Sequence, residues 1–265
     1  MAMDAQSAPL VLVEQQGSTA WLTINRPEAA NALSRALVAR LRAELSELAT
    51  VNMLTAVVLT GVEGKAFCAG ADLKERLAMT LDQTRAFLDD LGGLVNAIAD
   101  FPRPIIAAIS GAALGGGLEI ALACDFRLAD TSARLGLSEV RLGIIPGAGG
   151  TQRLSRLCGM AVAKQLVLTG QRIDADRALA LGLVSSVVPA GELRAAVTAL
   201  ATELGAAGPL ALGQAKRAVN QGFDRPMAEA LIVERQCYEV VLDSEDRNEG
   251  LRAFAEKRPP RFKGR

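Results

Sequence analysis

Residues 105–124, IIAAISGAALGGGLEIALAC, make a twenty-residue run in which the one charged side chain is Glu119. A run this long and apolar has the length of a membrane span. Gly111, Gly115, Gly116 and Gly117 would weaken such a helix, and Glu119 would sit in hydrocarbon. A buried strand, a glycine loop and a buried helix is the better reading, and no membrane association is expected.

The flanking segments extend that pattern. LVLVEQQGSTAWLTINRP (10–27) reads as a hairpin stopped by Pro27. Apolar residues at 33, 37, 38, 41, 45 and 48 have helical spacing. AVVLTG (56–61) is a buried strand. GKAFCAGADLKE (64–75) is a loop entering a polar helix, and 77–101 reads as one helix ending before Pro102 and Pro104. Helix is expected at 118–125 and strand at 125–130, then glycine-rich loop through 154. Helices follow at about 155–168 and 175–181, with a strand at 183–189. Beyond about 192 nearly everything is helical, up to the basic tail EKRPPRFKGR. Strands alternating with helices, then helices alone, imply an α/β class: a wound core with a C-terminal helical appendage.

Composition narrows the chemistry. Among 265 residues there is no histidine, which excludes Ser-His-Asp and Cys-His sites, HExxH zinc sites and haem ligation by histidine. Proton transfers would fall to Glu, Asp, Lys, Cys or the single Tyr. Lys and Arg number 29, as do Asp and Glu, so general attraction to nucleic acid or anionic membrane is not expected. Cys68, Cys124, Cys158 and Cys237 form no CxxC pair and suggest reduced thiols. The opening MAMDAQSAPL lacks a basic and apolar leader, and the expected location is cytoplasmic.

Known phosphate cradles fail. After Gly64-Lys65 comes Ala66 where a Walker loop needs Ser or Thr, and Gly147 and Gly149 lack the last glycine of a dinucleotide fingerprint. Gly136-Leu137-Ser138-Glu139-Val140 approaches a nucleophile elbow, but no histidine exists to activate Ser138. Two glycine-rich segments remain, AFCAGAD (66–72) and ALGGGLE (113–119). They are either tight turns or sources of free backbone N–H groups aimed into a pocket, as an oxyanion hole needs. Glu119 and Glu139 lie in apolar, glycine-lined surroundings. Each alone is an ordinary helix-start or loop carboxylate. Together, and buried, they are candidates for acid–base work.

The chain resembles the enoyl-CoA hydratase/isomerase (crotonase) family over essentially its whole length. NRPEAANALS (25–34), FCAGADLKE (67–75), residues 104–129, LGLSEVRLGIIPGAGGTQRL (135–154), residues 168–188 and EGLRAFAEKRPPRFKG (249–264) carry the resemblance. FCAGADLKER and EKRPPRFKG are most similar to the methylglutaconyl-CoA hydratase branch. The resemblance implies a spiral of ββα turns over 1–195 and a helical trimerisation region over 196–265, assembled as a trimer or a dimer of trimers. It implies an oxyanion hole from the backbone N–H groups of Ala71 and Gly116. Glu119 would deprotonate water and Glu139 would protonate Cα of an acyl-CoA thioester. No metal is implied, and no cofactor beyond the coenzyme A of the substrate. Arg26, Lys65, Ala69, Asp72, Leu73, Lys74, Gly115 and Gly147 are the implied coenzyme A or substrate contacts, with Lys257 and Lys263 reaching a neighbouring subunit. Asp72 and Asp125 read as structural rather than catalytic.

Within that resemblance a Δ3,Δ2-enoyl-CoA isomerase is the rival enzyme, and a non-catalytic acyl-CoA-binding protein the rival outside catalysis. RNA binding is a further class. The matching stretch here, 36–52, has no lysine and balances two arginines with two glutamates, which argues against it.

Overall fold

The computed structural model describes residues 8–265. The leader reading of the first ten residues falls mostly outside them. Chain order begins with strands β1 (Val11–Gln16) and β2 (Thr19–Ile24), paired antiparallel around Gly17, whose φ of +59° suits glycine. Helix α1 (Arg35–Leu48) follows, capped by the Ser34 hydroxyl, which accepts from Leu37 N–H. Strand β3 (Ala56–Gly61) lies parallel to β2. The polar helix expected after the glycine loop is α2 (Leu73–Leu77), and the helix expected over 77–101 is α3 (Leu81–Ala99), starting four residues later than read. The break comes at Thr80, whose side chain and that of Gln83 cap each other's backbone N–H groups and start a new helix there.

Strand β4 (Ile105–Ile109), strand β5 (Ala112–Leu114) and helix α4 (Gly116–Ala123) are the strand, turn and helix of the apolar run. All eight residues of α4 are buried, and among the described residues no single helix is long and apolar enough to cross a membrane. Strands β6 (Phe126–Asp130) and β7 (Arg134–Gly136) come next. Helices α5 (Gly150–Cys158) and α6 (Met160–Thr169) are separated at Gly159, φ +83°. Strand β8 (Ile173–Asp174), helix α7 (Ala175–Ala180) and strand β9 (Ser186–Val188) complete the wound part.

Six strands form one sheet in the order β1-β2-β3-β4-β6-β9, parallel from β2 onward. A second sheet, β5-β7-β8, stands apart. The chain thus winds between the two, giving the small sheet β5 after β4, then β7 and β8 after β6, before returning to the large sheet. Alternate residues of the parallel strands point to opposite faces. Val57, Leu59, Ile105 and Ala107 join a core with α1, α3 and α4. Ala56, Val58, Ile106 and Ala108 join a second core.

That second core is closed by Leu193, Val197 and Ala201 of α8 (Leu193–Gly205). Helix α8 therefore spans residue 195 and belongs to the sheet it covers. The helices that lie apart from it are α9 (Pro209–Gly222), α10 (Met227–Leu242) and α11 (Glu245–Ala255). A largely buried ion pair at 2.8 Å, Lys216 to Asp125, anchors α9 to the core. Asp125 also accepts from Ile105 N–H at 2.7 Å, a structural role. Asp246 folds the tail back by accepting from the backbone N–H groups of Lys263 and Gly264 at 2.5 and 2.8 Å. In α1, Arg40 pairs with Glu44 and Arg42 with Asp90.

Candidate active site

Backbone pairing positions the two glycine segments. Cys68 N–H donates to Ala112 and Leu114 N–H to Cys68, at 2.9 and 3.0 Å. On the other side Leu33 N–H donates to Gly70 and Asp72 N–H to Leu33, at 2.7 and 3.0 Å. Between these ladders the N–H of Ala71 is left over. The N–H of Gly116, first residue of α4, is left over by helix geometry. Among the described residues neither donates to a protein acceptor.

The glycines bring those two groups together. A Cβ on Gly116 would lie 3.8 Å from the Ala71 nitrogen, and one on Gly70 (φ +101°) 3.6 Å from the Gly116 nitrogen. At Gly117 a Cβ would run into the Cys68 carbonyl, so only glycine lets α4 approach the loop this closely. Two unpaired N–H groups therefore stand side by side at the positive end of a buried helix.

Glu119 lies three residues into α4 and is 2% exposed. Its Oε1 accepts from Ala148 and Gly150 N–H, both at 2.8 Å. Its other oxygen has no protein donor among the described residues. Burial raises its pKa, and those two N–H groups pull it back down. Glu139 opens a single 3-10 turn, Glu139–Leu142. Burial pushes its carboxyl up to about 7; the nearby Glu119 charge adds to this, while a hydrogen bond to its own backbone and the Arg76 charge oppose it. Glu139 Oε2 is buried with no hydrogen-bond partner. A buried oxygen left without a donor carries a cost, and the residue that bears it lines a cavity where a ligand would sit.

A cavity of about 250 Å³ joins these groups, with Leu88 and Leu91 of α3 forming part of its apolar wall. Ala69, Ala71, Leu73, Gly115, Gly116, Glu119, Glu139 and Gly147 all line it. The other implied contacts do not. Arg26 is committed to Asp72 at 2.6 Å and to the Ala32 carbonyl at 3.0 Å. Asp72 caps α2 by accepting from Lys74 and Glu75 N–H, and the Arg26 guanidinium holds its carboxyl below the usual range. Lys74 is exposed on α2, and Lys65 lines a separate groove with Trp21 and Thr60. Lys257 is exposed, and Lys263 pairs with Glu245 at 3.1 Å. Three charged cavity residues were not anticipated from sequence: Arg76, Arg141 and Arg172. Arg141, two residues after Glu139, had a local signal; Arg172 had none.

A spiral α/β core that places two unpaired N–H groups, a buried glutamate and a half-buried one on one cavity defines a crotonase-type enzyme. The family model described as enoyl-CoA hydratase/isomerase matches residues 14–265, and the chain belongs to that family. It is 43% identical over 258 residues to mitochondrial methylglutaconyl-CoA hydratase of Homo sapiens, covering 96% of this chain and 76% of that protein. It is 44% identical over 252 residues to the enoyl-CoA isomerase/hydratase fer4 of Mycosarcoma maydis, 92% of each. Among solved structures, enoyl-CoA hydratase from Bacillus anthracis superposes with a TM-score of 0.94 at 44% identity, covering 97% of this chain and all of that one.

Proposed function

We propose that this chain is an enoyl-CoA hydratase, adding water reversibly across the 2,3 double bond of a 2-enoyl-CoA thioester. The observation that carries the reading is the single cavity shared by Glu119, Glu139 and the free N–H groups of Ala71 and Gly116. The thioester oxygen accepts from both N–H groups. The free oxygen of Glu119 takes a proton from water while the water oxygen bonds to Cβ. The π electrons pass to the thioester oxygen, and the resulting enolate is held by the two donors; losing such a donor costs about 10²–10³ in rate. The enolate collapses as Cα takes the proton of Glu139. Coenzyme A enters as part of the substrate, and the residues need no other cofactor for this sequence.

The paired carboxylates favour hydration over isomerisation, because hydration requires one ionised and one protonated group at once. Methylglutaconyl-CoA is an alternative substrate, in keeping with the 43% identity to proteins of that name. The reaction belongs to fatty-acid or branched acyl-CoA degradation. Exposed Phe223, Met227, Ile232 and Phe254 on α9 to α11 and beyond favour a homo-oligomer, a trimer or a dimer of trimers. The paired arginines of α1 leave no basic face there for nucleic acid. A spectrophotometric hydration assay from crotonyl-CoA to hexadecenoyl-CoA, plus methylglutaconyl-CoA, tests the reading. Turnover of at least one enoyl thioester supports it; none across the series contradicts it.

A further inference from the structure

The segment that holds Glu119 is itself held. Ala148 and Gly150, the two donors to Glu119 Oε1, belong to the turn that leads into α5. Gly147, Gly149 and Gly150 give that turn backbone freedom, and Gly149 uses it at φ +99°. Arg153, one turn into α5, reaches back over it. Its Nη1 donates to the Ala148 carbonyl at 3.4 Å, and its Nη2 donates to Asn96 Oδ1 of α3 at 3.0 Å. A Cβ on Gly149 would collide with Nη1, so glycine leaves the space that the guanidinium occupies. One side chain thus ties the turn, and with it both donors, to α3.

Charge runs the same way. Arg153 is the charged group that favours the Glu119 carboxylate against burial. The other charged group from a neighbouring element is Glu139, whose proton the Glu119 charge helps to retain. Strand β5 carries no charged residue, and the charged residues of α3 are exposed. Asp100, just past α3, and Arg156 act on Arg153 rather than on Glu119. Arg153 lines a different groove from the catalytic one, beside Asp100, Arg156 and Phe223. It therefore reaches the reaction through Glu119 and its turn.

We propose that Arg153, braced by Asn96, is a positioning residue for Glu119: it fixes the turn that orients the carboxylate and sets a positive charge behind it, outside the cavity. The planar guanidinium suits both tasks, because its fork of N–H donors spans two acceptors while the charge stays fixed between them. A base that must take a proton from water needs to be ionised and held still, and small misplacement of such a group is costly in rate. The inference rests on the hydratase reading.

The test is the pH profile of crotonyl-CoA hydration by the wild type, R153Q, R153K and N96A, with circular dichroism confirming the fold. In R153Q kcat should fall about 10- to 100-fold with KM little changed. Its acid limb should move to higher pH by about one unit, because Glu119 then holds its proton longer. R153K keeps the charge without the fork, so its limb returns towards the wild-type position while part of the kcat loss remains. N96A removes the brace alone, so kcat falls by a smaller factor with the limb in place. Infrared titration of the Glu119 carboxyl band, identified by its loss in E119Q, reads the same upward shift in R153Q with no substrate present. A folded R153Q with the wild-type limb, a loss carried by KM, or R153K no closer to wild type than R153Q would each overturn the inference. If R153Q does not fold, an N96A variant with unaltered kcat overturns it. A wild type that turns over no crotonyl-CoA contradicts the hydratase reading, and the infrared shift then decides the inference by itself.

Discussion

Glu119 and Glu139 meet one cavity under opposite restraint. An oxygen of Glu119 is fixed by two N–H donors at 2.8 Å, whereas an oxygen of Glu139 is buried with no partner at all. Burial raises both carboxyls, and at Glu119 two N–H donors oppose it. The proposed base and the proposed acid are thus one residue type under different restraint.

That difference sets a pH profile. Hydration needs Glu119 ionised and Glu139 protonated, so kcat/KM should fall as pH rises through about 7, the value to which burial pushes Glu139. Arg76 pulls Glu139 down, so R76Q should move the alkaline limb to higher pH. Profiles of both proteins on crotonyl-CoA check this. A limb unmoved by R76Q would mean that Glu139 does not set it.

The same shift has a stability consequence. Below its ordinary value of 4.5 the Glu139 carboxyl is protonated in folded and unfolded chains alike. Between 4.5 and about 7 the unfolded chain releases the proton and the folded one keeps it. Stability contributed by this group therefore falls as pH rises, and the penalty is complete above about 7. E139Q removes it. At pH 8 the variant should be more stable by about 1–3 kcal/mol, discounted for the partial exposure of Glu139. Thermal unfolding at pH 8 and near pH 4.5 should show a gain at the first that vanishes at the second.

Gly117 tests the close approach that pairs the two N–H groups. Its Cβ would strike backbone, the Cys68 carbonyl, so G117A must push α4 off the loop. A loss of about 1–3 kcal/mol or more is expected in urea unfolding, with hydration activity falling further than stability alone explains. Gly92 on α3 has nothing within 4 Å of a Cβ. G92A should be neutral or stabilising by up to about 1 kcal/mol. Equal behaviour of the two variants would remove the steric argument.

The strand, glycine loop and helix that carry the candidate site were legible because their signals are local. An apolar strand, three glycines and a carboxylate within fifteen residues specify β4, β5 and α4 with little help from elsewhere. Thr80 and Gln83 carry a capping-box spacing that marks the helix break, a signal hidden inside otherwise periodic apolar residues. The basic residues were less legible. Lys65 and Lys74 flank the glycine loop in sequence, but the loop's turn sends one to another groove and leaves the other on the surface of α2. Arg172 reaches the cavity only because β8 pairs with β7, whose partner β5 lies some sixty residues away in the chain. Pairings of that range leave no periodicity to read. Helix α8 joins the core for the same reason: its apolar face matches a sheet face assembled from four distant strands.

The most direct measurement is hydration of crotonyl-CoA by the Glu139→Gln variant, with circular dichroism confirming the fold. The amide keeps the shape and removes the proton that Cα must receive. A loss of about 10²–10⁴ in kcat is predicted for a missing acid–base group, with a folded spectrum. A folded variant turning over crotonyl-CoA near the wild-type rate would contradict the account.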